Sequence, residues 1–156
     1  MGANYTFGEV LFTSIDAKRF SSPDRFPRNI RINHNPNISN FTRLGEEKMV
    51  LSYQYNISYE AVGYIRMEGD ILAKGKMEEV SELEKSWQND KKLPPEFMES
   101  VLSHLLHMAG FEAMTFAKKL KLPFPLPLNV PKISLQKKGG KPEGKTIHRP
   151  YNPEVA

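Results

Sequence analysis

The chain has 156 residues, no cysteine and a formal charge of +4, with 22 basic against 18 acidic side chains. That length suits one domain with a core of its own, and the missing cysteine excludes disulfides, a thiol nucleophile and thiolate metal sites. No apolar run approaches the roughly 20 residues needed to span a bilayer, and the N-terminal residues lack the basic and apolar stretches of a secretory signal. A reducing cytoplasm is the expected setting.

Charge is unevenly placed. Residues 1–75 carry a net +1, residues 76–121 a net −1, and residues 122–156 a net +4. The body is close to neutral, and the C-terminal stretch supplies the basic excess.

Four segments of the first half alternate as strands do. Residues 5–20 place Phe7, Val10, Phe12, Ile15, Ala17 and Phe20 at their apolar positions. From Arg28 to Phe41 the apolar residues are Ile30, Ile32, Ile38 and Phe41. His34-Asn35-Pro36-Asn37 interrupts them, which predicts a bulge, a bend or an edge position. Met49, Leu51, Tyr53, Tyr55 and Ile57 alternate strictly in the third segment. The fourth runs from about Ala61 to Ala73, with Ile65, Met67 and Ile71 on one face and Gly63 and Gly69 in the same parity. Glycines there predict a bulge or a close backbone approach. Joined by short turns, the four segments read as a meander.

Helical spacing follows. Val80, Leu83 and Trp87 form a narrow apolar stripe within 76–92. Leu93-Pro94-Pro95-Glu96 then opens a longer helix, since proline is favoured in a first turn. Its apolar positions run from Phe97 to Leu120 at spacings of three and four. Gly110 predicts a kink, a close helix crossing or a break in it. The prolines of Leu122-Pro123-Phe124-Pro125-Leu126-Pro127-Leu128 cannot continue a helix, so this apolar tract is expected as an extended strap. Strands first and helices afterwards define an α+β domain over residues 1–131, a four-stranded antiparallel sheet with a short and a long helix on one face. Residues 132–156 lose the periodic pattern and are expected as a basic, flexible tail.

Chemistry is sparse. His104 and His107 stand at i and i+3 without a carboxylate at a supporting spacing, so no metal site is expected. No nucleophile turn accompanies a Ser-His-Asp order, and Gly139-Gly140 lacks the strand–loop–helix context of a phosphate loop. Neither an enzyme nor a cofactor is expected. Tyr53, Tyr55, Tyr59 and Tyr64 could stack bases, but Tyr53 and Tyr55 share the apolar face of their strand and read better as core. Lys137, Lys138, Lys141, Lys145 and Arg149 form an electrostatic footprint for phosphates, or else a solubilising end.

Four antiparallel strands, a variable connection, a long helix and a leucine–proline exit resemble the SecB export-chaperone family. Tyr59-Glu60-Ala61-Val62-Gly63-Tyr64-Ile65-Arg66-Met67-Glu68-Gly69-Asp70-Ile71 sits where that family's fourth strand and its glycine-containing run sit. Leu93-Pro94-Pro95 begins the helix, and Leu122 to Val130 resembles the family's segment after the helix. The likeness spans roughly residues 7–133. Two features depart from it: the helix continues past Gly110-Phe111, and the C-terminal stretch is lysine-rich.

The resemblance implies an ATP-independent holdase in protein transport, built as a homo-oligomer of dimers, that holds unfolded or nascent polypeptide in apolar grooves. On this reading clients lie against Leu105, Met108, Phe111, Phe124, Leu126 and Leu128. Methionines on a long helix suit such a surface, because the side chain is flexible and polarisable. The alternative is an RNA- or ribosome-associated factor using the basic tail.

Overall fold

A computed structural model describes residues 5–22, 24 and 29–125. They form β1 (Thr6–Arg19), β2 (Asn33–Arg43), β3 (Lys48–Ser58), β4 (Gly63–Lys74), α1 (Met77–Asp90) and α2 (Pro95–Lys119). The α+β class and the four-stranded antiparallel sheet are as expected, with both helices on one face.

The strand order is not a meander. It is β1-β4-β3-β2, so β2, β3 and β4 follow one another while β1 returns to pair with β4. This is the Greek-key arrangement. Local turn signals foretold each reversal but not which strand β1 would join. β4 receives β1 because its glycines clear the way. A Cβ on Gly69 would lie 1.8 Å from the Leu11 carbonyl, and one on Gly63 would lie 2.4 Å from that of Lys18. The expected close approach is therefore real, and its partner is β1.

β2 begins later than its apolar pattern suggests, at Asn33. It is the sheet's other edge, where Pro36 costs no ladder bond to a further strand, and its register with β3 shifts between Ile38 and Asn40. The core follows from alternation in β3 and β4. Met49, Leu51, Tyr53, Tyr55 and Ile57 are buried against Ile65, Met67, Ile71 and Ala73, and the helices cover that face. Ser52, Gln54, Arg66, Glu68 and Asp70 occupy the other face, together with Leu11 and Leu72.

α1 packs against β2 through Val80 and Leu83, and Trp87 rests partly buried on the core. Arg43 ties its side of the sheet to α1. It bonds Ser81 Oγ at 3.0 Å and the Gly45 and Glu46 carbonyls at 2.8 and 3.1 Å, with Glu84 3.8 Å away.

α2 spans 25 residues, about 37 Å at 1.5 Å each, and lies over β1, β4 and β2. Phe97, Val101, Leu102, Leu105, Leu106, Ala109, Ala113 and Ala117 make its buried stripe. Gly110 neither breaks the helix nor serves a close approach among the described residues, where a Cβ would meet nothing within 4 Å. Lys118 and Lys119 in the last turn favour the helix C-terminus.

Candidate functional site: an apolar surface on α2 and the segment after it

Both ends of α2 are fastened to β1. Near its start, Phe97 packs edge-on to Tyr5 at 4.7 Å between ring centroids and lies 5.9 Å from the Phe7 ring. About two turns further on, His104 Nε2 donates to the Gly8 carbonyl at 2.8 Å, and its ring stacks on Phe7. Near the helix end, Arg19 Nη1 donates to the Leu120 carbonyl at 3.2 Å.

Met108 and Phe111 stand four and seven residues beyond His104, on its stripe. Between the two fastenings they project to solvent, 41% and 57% exposed. Spacings of three and four give α2 its buried stripe, and Met108 and Phe111 lie beside that stripe. His107, four residues before Phe111, packs edge-on against its ring at 5.4 Å. His104 and His107 thus take different partners. Ile15, on the helix side of β1 and opposite Met67 in the ladder, is 37% exposed.

After α2 the chain turns through Lys121, at φ 52°. Leu122 N–H bonds the Ala117 carbonyl at 2.8 Å, which closes the helix end. Leu122 and Pro125 are buried, and Phe124 is 60% exposed.

The expected client residues therefore separate. Met108, Phe111 and Phe124 are surface side chains. Leu105 is fully buried among the core residues of α2, so it supports the helix and cannot meet a client in the folded protein. It shares the spacing of its neighbours, and spacing alone could not say which edge of the stripe faces out. Leu126 and Leu128 lie outside the described residues, as do Lys137, Lys138, Lys141, Lys145 and Arg149. Ile15 was legible as a strand residue but not as a surface one, because its exposure depends on where α2 passes over β1.

The tyrosines belong mostly to the core. Tyr53, Tyr55 and Tyr59 are buried, and that burial holds their hydroxyls well above the ordinary tyrosine range. Tyr53 donates to the Leu11 carbonyl at 3.0 Å, reaching over Gly69 to β1. Tyr55 OH lies 2.6 Å from His34 Nδ1, and burial pushes the His34 imidazole below its usual value. Tyr64 alone faces the other side, bonded to Asp16 and covered by Arg66. A cavity of about 350 Å³ on that side, lined by Leu44, Leu72, Lys48 and Lys74, is separate from the α2 surface.

No group of His, Cys, Asp and Glu side chains among the described residues could hold a metal. No described helix is long and apolar enough to cross a membrane.

The sheet order, the helix across its face and the chain that leaves that helix define a SecB-like architecture. A solved structure of this architecture is the SecB-like chaperone Rv1957 of Mycobacterium tuberculosis, in complex with a ChAD peptide from the Rv1956 HigA1 antitoxin. It superposes with a TM-score of 0.52 at 13% identity, over 83% of this chain and 91% of that one. No protein-family model matches the chain, and no curated protein matches it at a significant level.

Proposed function

We propose that the protein is an ATP-independent holdase that binds unfolded polypeptide on the apolar surface of Met108, Phe111 and Phe124. The observation that carries this reading is the exposure of two phenylalanines and a methionine on and after a helix whose other apolar residues are buried or partly buried. Exposed rings gain free energy only from a partner that removes them from water. The peptide held by the SecB-like neighbour makes polypeptide the partner this fold suits. Leu126 and Leu128 continue the same apolar tract in sequence and belong to the proposal.

Self-association is part of the same reading. β1 is an edge strand of 14 residues without proline. The opposite edge, β2, is blunted by Pro36 and by its register shift. Two copies meeting along β1 would satisfy its open edge and enlarge the client surface. The reading also places the protein in the cytoplasm, among nascent and export-bound chains.

The experiment is aggregation of a chemically unfolded polypeptide diluted into buffer with increasing amounts of the protein and without nucleotide. Light scattering is expected to fall to baseline at a fixed stoichiometry, with the native form of the same polypeptide unbound. Undiminished aggregation at tenfold excess of the protein would refute the proposal.

A further inference from the structure

Two side chains, one at the end of β1 and one in the turn between β3 and β4, hold the segment that leaves α2. Arg19, the last residue of β1, donates from Nη1 to the carbonyls of Leu120 and Lys121. Its Nε reaches the Ser21 carbonyl at 3.0 Å and its Nη2 that of Ser22 at 3.3 Å. One planar guanidinium thus joins the end of β1 to the end of α2, a task suited to its fork of fixed donors. Tyr59, fully buried between β3 and β4, donates its hydroxyl to the Pro123 carbonyl at 2.9 Å. The backbone is therefore gripped at residues 120, 121 and 123, while Leu122 joins the core and Pro125 is buried. Phe124 is left standing in water within this gripped stretch.

An exposed phenylalanine on a loose segment would fold back onto apolar surface, and a client would have to order it again. Fixing backbone on binding opposes association, and a segment fixed beforehand avoids that cost. We infer that Arg19 and Tyr59 are positioning residues for the client surface proposed above, on which this inference rests. They hold residues 120–125 in a path that presents Phe124 before any client arrives. Neither touches the client; each acts through a backbone carbonyl of the segment.

The chain has no cysteine, so Phe124→Cys accepts a single spin label. Label mobility is compared in that background alone and with Arg19→Lys or Tyr59→Phe added. Binding to a permanently unfolded probe, reduced and carboxymethylated α-lactalbumin, is measured separately on unlabelled proteins that keep Phe124. Both substitutions are expected to raise label mobility. Each should weaken probe binding roughly tenfold, the factor for re-ordering about one residue's backbone.

Phe124→Ser should then cost markedly less affinity in the Tyr59→Phe background than in the wild type. A purely structural role would leave that cost unchanged. Tyr59→Phe keeps the ring and removes only the hydroxyl, so it carries the test even where Arg19→Lys fails to fold. Unchanged label mobility in the folded variants overturns the clamp. Mobile labels with unchanged probe affinity overturn its role in binding. Absence of probe binding by the wild type overturns the client reading, and this inference with it. That outcome is recognised from the wild-type arm alone, while the label arm still reports on the clamp.

Discussion

Replacing Phe111 and Phe124 together with serine separates a client surface from a packing surface. Fully burying a phenylalanine gains about 1.5–3 kcal/mol over leaving it exposed. With 57% and 60% of their surfaces in water, the two rings have roughly six-tenths of that gain still to realise. A client covering both would gain about 2–3.5 kcal/mol, so the double variant should bind an unfolded polypeptide about 30- to 300-fold more weakly. The surface these rings already bury sets the stability cost, about 1–2 kcal/mol in all. That corresponds to a fall of about 2–8 °C in Tm. Serine and phenylalanine have similar helix propensities, so the change at Phe111 adds little.

The assay pairs fluorescence anisotropy of a labelled unfolded polypeptide with a thermal melt and a light-scattering mass. Leu105→Ala is the contrast. Its side chain is fully buried, so it should lose about 2–5 kcal/mol of stability while the molecules that remain folded keep their affinity. Unchanged affinity in the folded double variant would refute the client assignment. A loss of mass together with affinity would move Phe111 into an interface between copies.

Gly69→Ala should cost about 2–4 kcal/mol in denaturant unfolding, because the new methyl would strike the Leu11 carbonyl and part Tyr53 from it. A cost below about 0.5 kcal/mol would show that β1 pairs with β4 more loosely than described. For His34, burial lowers the folded-state pKa, so the unfolded chain takes up its proton first as pH falls. Its contribution is intact above the ordinary imidazole value of about 6.5 and is lost as pH falls through that value towards the folded one. Tm should therefore fall more steeply between pH 7 and 5.5 in the wild type than in His34→Gln, and equal slopes would count against the buried His34–Tyr55 contact. Light scattering at micromolar concentration should give at least twice the mass of one chain, and a strict monomer there would exclude pairing along β1.

The sequence by itself determined the elements and their faces. Strict alternation from Met49 to Ile57 sent Tyr53 and Tyr55 inward, because successive side chains on a strand leave opposite sides. Pro95 and spacings of three and four placed α2, and the prolines after Leu122 excluded its continuation. Alternation assigns a residue to a face, however, and says nothing of which strand lies beside it.

Only the tertiary structure put β1 next to β4, where Gly63 and Gly69 leave room for another backbone. Only it divided one apolar helix into a buried Leu105 and an exposed Phe111, since the edge of a helical stripe is drawn by what packs against it. The grip of Arg19 and Tyr59 on residues 120–123 was beyond any local pattern for the same reason. Those contacts join residues 64 to 102 positions apart, and folding alone brings them within hydrogen-bond reach.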